Sequence, residues 1–300
     1  MKKFIFLILI LIYSLKGDAI SPSLFSWFSD SKLSRAGGGS LLTTPNSRSV
    51  NAANGATGRS FSTSFILYPA DIQAQSFALL IPKSNQLITA AINHISYGTF
   101  KGFDENAMPT NNYNSSDTWI RVGYSILSKK IPIRYGISNQ LLLSKLGEHS
   151  LSKYYCSLGA IWKIKKYKTD IGFSVEDILI NIDPFNHIND RAPLKYNIGI
   201  SKKLAYLPLI ISIDYLSINI PDFNDYFISG IFSISKNLSL SLGTSTRKYS
   251  QDTKENVINT IFGSSGIGMN YKNNELIISY GLYFYGTGGW TNGLDISINF

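Results

Sequence analysis

The sequence predicts an all-β protein, a transmembrane antiparallel up-and-down β-barrel of about 14 strands with an N-terminal plug-like segment. The first observation is composition: 44% of the residues are hydrophobic and only 16% are charged, whereas soluble proteins carry about a quarter charged residues. The second is that no stretch after residue 19 approaches 18 consecutive apolar residues, so no helical membrane span is expected. The third is alternation of apolar and polar residues in segments of about ten, which is typical of barrel strands.

The first 19 residues have the pattern of a secretory signal peptide. Lys2 and Lys3 precede an apolar run from Phe4 to Leu15, and small residues follow up to Ala19. A run of this length is too short to cross a bilayer as a permanent helix, which needs about 20 residues. We therefore expect cleavage after Ala19, with an uncleaved anchor as the alternative. Export together with a barrel predicts a location in the outer membrane of a Gram-negative type of cell.

The barrel is predicted to span residues 59–300. In the segment DTWIRVGYSILS, Ile120 and Val122 share one face while Arg121 and Gly123 share the other. The same period of two recurs along the chain, and an even count matches single-chain bacterial barrels. The predicted strands are 59–68, 73–82, 87–98, 117–128, 131–143, 153–164, 169–180, 194–203, 208–218, 225–235, 238–249, 259–271, 275–286 and 290–300.

Short and long connections alternate along this pattern, which places the short turns in the periplasm. Lysine is concentrated at the short turns, and acidic residues favour the long loops. Two interpretations of these lysines stay open, namely contact with lipid headgroups and docking of an acidic periplasmic partner. The lysines at the short turns are Lys83, Lys129, Lys130, Lys165, Lys166, Lys168, Lys202, Lys203, Lys236 and Lys272.

The chain ends on the alternating strand LDISINF, whose last residue is Phe300. An open sheet edge in lipid would leave backbone groups without partners, so we expect this strand to pair with the first one and close the barrel. A terminal strand that ends on an aromatic residue also resembles the signal that outer-membrane barrels present to the barrel assembly machinery. Phe300 is the residue that would carry this signal.

Charged residues on the polar faces of strands should point into the lumen. Alternation places Arg121, Arg134, Glu176 and Asp214 there. We expect a charge network that fixes the wall or holds a plug, with a solvent-lined transport site as the alternative. Residues 20–58 precede the first strand and are rich in small and turn residues. This segment is long enough to fold into the lumen as a plug, and a periplasmic tail is the alternative.

Signatures of catalysis and of cofactor binding are missing from the sequence. Only His94 among the three histidines lies on a predicted strand, and no GxSxG nucleophile motif is present. No Cys, His and Asp cluster has metal-ligand spacing. The net charge is +9, but no nucleic-acid motif accompanies it. We therefore expect a protein that is not an enzyme, with no cofactor, no metal and no nucleic-acid partner.

Two short stretches resemble the start of the PorV/PorQ family of outer-membrane barrels, within the FadL-like superfamily of 14-stranded barrels. These are SRAGGGS at 34–40 and NAANGATG at 51–58, the latter with Gly55 where the family usually has Pro. The stretch from Tyr97 to Glu105, which reads YGTFKGFDE, is also similar to PorQ-type proteins. The resemblance covers roughly residues 34–180, and it implies a 14-stranded barrel with an N-terminal plug.

The resemblance implies a non-enzymatic role in type IX protein secretion or in surface attachment of exported proteins. The alternative is a FadL-like outer-membrane transporter for small hydrophobic molecules. The expected partners are outer-membrane lipid, the assembly machinery, exported or surface-attached proteins, and periplasmic secretion components. In the secretion role, outer loops 99–116 and 181–193 would supply aromatic contacts to an exported protein, or they would simply close the barrel mouth. The candidate contacts are Phe100, Phe103, Tyr113 and Phe185.

Overall fold

The computed structural model of the chain describes residues 23–300 apart from 24, 43, 49–50, 57, 105, 181–192, 220–222 and 251–261. Within this part, 14 antiparallel strands form one closed barrel in which each strand pairs with its neighbours along the chain. The predicted barrel of 14 antiparallel strands is confirmed. The predicted signal peptide lies outside the described residues.

Most strand bounds lie within about four residues of the predicted ones, but the strand predicted at 238–249 ends at Ser245, the one predicted at 259–271 begins at Ser265, and those predicted at 87–98 and 117–128 are longer. The strands are β1 Ser60–Leu67, β2 Gln73–Lys83, β3 Gln86–Phe103, β4 Pro109–Leu127, β5 Ile133–Leu146, β6 His149–Ile164, β7 Thr169–Ile180, β8 Lys195–Lys203, β9 Leu209–Ile218, β10 Asn224–Ser233, β11 Leu238–Ser245, β12 Ser265–Lys272, β13 Leu276–Phe284 and β14 Trp290–Asn299.

Helices are short in the described part of the chain. An α-helix, α1, spans Asp30–Ser34 before the first strand, and a second, α2, spans Arg247–Ser250 after β11. Two 3₁₀ turns lie at Lys165–Tyr167 and Gly286–Gly288. Among the residues described, no helix has the length and apolarity needed to cross a membrane.

The outer face of the barrel wall is apolar and the inner face is polar, which is the arrangement that a lipid environment requires. Large apolar side chains such as Phe77, Ile92 and Val122 are exposed on the outside. Small and polar side chains such as Ser76 and Asn93 are buried on the inside. A soluble protein would have the opposite arrangement, so the exterior is suited to a bilayer.

The seam between β1 and β14 closes the barrel. The two strands pair from Ser60 opposite Asn299 to Leu67 opposite Asn292. The backbone N–H of Phe300 continues the ladder by donating to the carbonyl of Arg59 at 3.1 Å. The predicted pairing of the last strand is therefore confirmed. The Phe300 side chain is 69% exposed, and its role as an assembly signal stays a prediction.

The prediction of a long loop at 99–116 is wrong in part. There β3 and β4 continue past the neighbouring strands as a paired hairpin with its tip at residues 104–108. Phe100 stacks on Tyr113 across this hairpin, with ring centroids 5.5 Å apart. Side chains on both faces of this hairpin are mostly exposed, so the apolar alternation on which the boundary prediction depended stops earlier than the strands do.

Candidate functional site in the barrel lumen

The chain upstream of β1 lies against the inner face of the barrel. We refer to the described residues between 23 and 56 as the luminal segment. The Ser76 hydroxyl on β2 donates to the carbonyl of Phe28 at 3.0 Å. The Ser125 hydroxyl on β4 donates to the carbonyl of Asn54 at 3.1 Å. Across the seam, Ser29 donates to the Asp295 carboxylate on β14 at 2.7 Å. The segment thus contacts several sides of the wall from within.

Inward-facing glycines make room for this segment. A Cβ atom at Gly136 would overlap the backbone of Ala52, and one at Gly281 would overlap the backbone of Asp30. The same holds for Gly243, which faces the backbone of Arg35. Glycine weakens a strand interior, so its repetition at inward positions indicates a close approach of another backbone. Sequence reasoning missed this feature, although glycine at corresponding positions of many strands is a visible signal.

Asp214 on β9 holds a glycine-rich turn of the luminal segment. Its carboxylate accepts hydrogen bonds from the backbone N–H of Gly39 at 2.7 Å and of Ser40 at 3.1 Å. The Ser40 hydroxyl donates to the same carboxylate. Gly39 has φ +70°, which brings successive N–H groups to one side as in an anion-binding nest. The predicted luminal charge Asp214 therefore fixes backbone of the luminal segment.

Arg121 on β4 also binds backbone of the luminal segment. It donates hydrogen bonds to carbonyls, whereas Asp214 accepts them from N–H groups. Its guanidinium contacts the carbonyl oxygens of Pro45 and Ser47 at 2.7 Å and that of Arg48 at 3.1 Å. The fork of N–H donors on arginine suits several acceptors at once. Arg121 thus binds a stretch of luminal backbone that has no regular secondary structure to satisfy its carbonyls.

A buried ion cluster joins the luminal segment to two strands. The carboxylate of Asp177 on β7 pairs with Arg48 at 2.9 Å and with Lys195 on β8 at 2.9 Å. The Arg48 guanidinium also stacks over the Trp119 ring at 4.4 Å. Asp177 has φ +60°, and the pairing of β6 with β7 shifts register beside it. Strict alternation points Asp177 outward, so this bulge is why sequence reasoning missed the cluster.

The other two predicted luminal charges have different surroundings. The Glu176 carboxylate is buried and accepts a hydrogen bond from the Ser174 hydroxyl at 2.8 Å. Arg134 lies near the short-turn end, where it donates to the carbonyl of Asn85 at 3.4 Å and to Ser125 at 3.3 Å. The hydrogen bonds of Arg121 and Asp214 described above go to luminal backbone. A network that joins these four charges to one another stays a prediction.

Helix α1 and its C-cap residue Arg35 carry three ionisable side chains into the lumen. Ser29 caps its N-terminus, and the backbone N–H of Asp30 donates to Asp295 at 3.0 Å. Burial raises the pKa of the Asp30 carboxyl, and the nearby negative charge of Asp295 adds to this effect. Burial lowers the pKa of Lys32 to about 8. The Lys32 ammonium and the Arg35 guanidinium donate to carbonyls of the same segment, those of Gly37 and Ser31.

Aromatic side chains fill the lumen near the ends of the strands that face the long loops. We call Trp27, Phe28, Trp119, Tyr155 and Tyr283 the aromatic cluster. Trp27 meets Tyr283 edge to face with centroids 4.8 Å apart, and Trp119 packs on Tyr155 at 5.3 Å. Phe28, Trp119, Tyr155 and Tyr283 are almost fully buried and belong to one hydrophobic core. Two of the five members come from the luminal segment, so this segment supplies part of the apolar packing at this end of the lumen.

The opposite half of the lumen is polar and contains open space. A cavity of about 450 Å³ lies between the luminal segment and the inner face of β11–β13. A smaller space of about 40 Å³ adjoins β2–β5. The lumen therefore changes from packed and aromatic at one end to open and polar at the other. The larger cavity is lined by Asp30, Ser31, Ser34, Arg35, Leu41, Leu42, Thr44, Gly55, Ile231, Ser239, Ser241, Asn270 and Ser279.

The predicted partner contacts lie away from the lumen. Phe100, Phe103 and Tyr113 are exposed on the β3–β4 hairpin, at 41%, 59% and 37%. Phe185 lies outside the described residues. No group of three or more His, Cys, Asp or Glu side chains in the described part of the chain is arranged to hold a metal ion.

Comparison with solved structures identifies the fold. The Ralstonia pickettii toluene transporter TbuX aligns over 96% of this chain and 100% of its own, with a TM-score of 0.60 and 11% identity. The barrel has the fold of FadL-like outer-membrane proteins. A mutant of the TodX monoaromatic hydrocarbon channel aligns over 91% and 99% of the two chains, with a TM-score of 0.57 and 10% identity. A Pseudomonas aeruginosa FadL homologue aligns over 92% and 99%, with a TM-score of 0.56 and 10% identity.

No family model matches the sequence, and no match was found among curated proteins. The FadL-like part of the sequence resemblance thus agrees with the structural neighbours at the level of fold.

Proposed function

We propose that this protein is a non-enzymatic outer-membrane barrel that admits small hydrophobic molecules, with the luminal segment as its plug. The observation that carries the proposal is the aromatic cluster, in which Trp27 and Phe28 of the luminal segment pack on aromatic residues of the wall. The structural neighbours support it, because two of those compared above are described as a toluene transporter and a monoaromatic hydrocarbon channel.

An apolar molecule that reaches the outer mouth can contact the apolar rings of the aromatic cluster. Transfer of apolar area out of water is favourable by roughly 25 cal/mol per Å². Such a molecule can take over the ring contacts that Trp27 makes with Tyr283, whereas a charged or strongly polar solute would lose hydration there without compensation. The mouth therefore selects for hydrophobic compounds.

The plug is held by contacts that can be exchanged one at a time. They include hydrogen bonds that Arg121 donates to carbonyls of the luminal segment and hydrogen bonds that Asp214 and Asp295 accept from its backbone N–H groups. A net contribution of about 1.5–3 kcal/mol is typical for a hydrogen bond to a charged group. Partial displacement can thus open a path from the aromatic cluster to the polar cavity on the periplasmic side without unfolding the wall.

The secretion role implied by the PorV/PorQ resemblance has less support than transport. The compared structures that carry the argument are channels and transporters. An interaction with an exported protein through the exposed aromatic residues of the β3–β4 hairpin stays a separate prediction. Replacement of the hairpin tests it.

The proposal is tested by uptake of toluene and of glycerol into cells that produce the protein in their outer membrane. Wild type should admit toluene faster than cells with an empty vector, and glycerol no faster. Trp27→Ala should open the mouth and admit glycerol as well. Trp162→Ala is the matched control, because Trp162 is an exposed side chain of the outer wall, and it should behave as wild type. Toluene uptake equal to that of the empty vector would contradict the proposal.

A further inference from the structure

The short-turn end of the barrel carries lysine at every turn. The six turns that join β2 to β3, β4 to β5, β6 to β7, β8 to β9, β10 to β11 and β12 to β13 are all described. Each has at least one lysine in it or at the adjoining strand end, and every one of these side chains is exposed. We call this set the lysine rim: Lys83, Lys129, Lys130, Lys165, Lys166, Lys168, Lys202, Lys203, Lys236 and Lys272.

Few acidic groups neutralise the rim from within the protein. Asp170 and Glu275 are the acidic residues in or beside the six turns. Lys163 approaches Asp170 at 4.0 Å, and both side chains are well exposed. Exposed pairs of this kind are worth little and are screened by salt. The rim therefore presents a surplus of positive charge at all six turns.

Exposed aromatic residues lie at the same level as the lysines on the outer wall. Trp162 and Tyr167 border the turn between β6 and β7, and Tyr206 lies in the turn between β8 and β9. Tyr206 is 99% exposed. Tyr271 lies beside Lys272 at the end of β12. Aromatic rings of this kind settle at the headgroup level of a bilayer, and lysine stems can extend along apolar surface to place the ammonium in the headgroup layer.

We propose that the lysine rim binds anionic phospholipid headgroups of the membrane leaflet that faces the periplasm. Short turns mark the periplasmic end of such barrels, which places the rim at that leaflet. The positive charge is distributed over all six turns, as an annulus of lipid requires, whereas one docked acidic protein would need charge on one side. Attraction between lysine and anionic lipid acts within a Debye length, so the neighbouring aromatic girdle brings the two into range. This preference for anionic lipid is independent of the proposed transport function.

The test uses the purified full chain in nanodiscs made from equal parts of phosphatidylglycerol and phosphatidylethanolamine. The lipids that stay bound after mild detergent extraction are then quantified. Phosphatidylglycerol should be enriched over its bulk fraction around wild type, and the enrichment should fade at about 1 M salt, where the Debye length is about 3 Å. Lys129→Gln with Lys203→Gln should lower the enrichment. The matched control, Lys101→Gln with Lys145→Gln, changes two exposed lysines at the other end of the barrel and should keep it.

These substitutions lie at exposed positions, and heat-modifiable migration on gels verifies that each variant is folded. Should the double variant fail to fold, Lys129→Gln and Lys203→Gln are measured singly, and each should give a smaller loss. Phosphatidylglycerol at its bulk fraction around wild type would overturn the proposal. So would equal enrichment in the rim variant and the control, or capture of an acidic periplasmic protein that removes the bound lipid.

Discussion

At the scale of single residues, Asp177 links the luminal segment to the wall. Its carboxylate pairs with Arg48 and Lys195, and all three side chains are almost fully buried. Asp177→Asn keeps a residue that tolerates the φ of +60° but removes the charge. We expect a loss of about 3–5 kcal/mol in the free energy of unfolding, because two buried cations lose a counter-charge. Urea unfolding followed by the loss of heat-modifiable migration measures it.

The exposed pair of Lys163 and Asp170 gives a matched control for that substitution. Its atoms are 4.0 Å apart, and the side chains are 51% and 38% exposed. Asp170→Asn should therefore cost less than about 1 kcal/mol. Equal effects of the two substitutions would show that burial of the Asp177 cluster adds nothing to stability.

Asp214 gives a second prediction at this scale. Asp214→Asn removes the negative charge that accepts from Gly39 and Ser40, at an expected cost of about 1.5–3 kcal/mol of local stability. The luminal segment should then open more often, and trypsin should cleave faster after Lys32 and Arg35. Asp104→Asn, at the tip of the β3–β4 hairpin, should leave the cleavage rate unchanged. Unchanged cleavage in Asp214→Asn would show that this carboxylate does not restrain the segment.

Alternation identified some of these residues and missed others. Arg121 and Asp214 lie on regular parts of β4 and β9, so a period of two places them inside. Asp177 lies beside a register shift, so the same rule places it outside. Arg48 belongs to a segment without periodicity, so its partner could not be predicted from pattern.

At the scale of elements, the β3–β4 hairpin can be tested apart from the wall. Ser96 pairs with Ser116 below the hairpin, and the pairing continues to Gln86 opposite Ile126. Replacement of residues 101–114 by a short Gly/Ser turn should therefore leave a folded barrel and unchanged toluene uptake. A pull-down from detergent extracts tests the secretion interpretation. Loss of a co-purifying exported protein would support that role, and an unchanged partner set would oppose it.

The last strand, β14, is expected to be essential for closing the barrel. Removal of residues 294–300 deletes much of the pairing with β1 and β13, which leaves strand edges without partners in lipid. We expect loss of heat-modifiable migration and accumulation in the periplasm. Phe300→Ala is the control that keeps the ladder. If it assembles normally while the truncation fails, closure matters and the aromatic signal does not.

At the scale of the whole molecule, the wall was predictable and its contents were not. Lipid outside and polar groups inside impose a period of two on every strand, and turn residues separate the strands. The luminal segment has no such constraint, because its backbone groups are satisfied by Arg121, Asp214 and other side chains of distant strands. Its path depends on contacts separated by up to 266 residues in sequence, which no local pattern encodes.

The proposed transport requires the luminal segment to move as a plug before hydrophobic molecules can pass. A Cβ atom at Gly38 would lie 3.2 Å from the Ser229 hydroxyl on β10 and 3.1 Å from the Phe227 Cβ, so the luminal segment touches the wall here and cysteines at positions 38 and 229 are close enough to test as a disulfide pair. Gly38→Cys with Ser229→Cys, in a Cys156→Ser background, therefore locks the segment to the wall. Each single cysteine variant serves as a control.

The most direct measurement is toluene uptake by cells that carry this double variant, before and after reduction. We expect uptake to fall to the level of the empty vector when the disulfide is formed and to return to the wild-type rate when it is reduced. Uptake at the wild-type rate by the fully oxidised variant would show that hydrophobic molecules pass without movement of the luminal segment, and the proposed plug would be wrong.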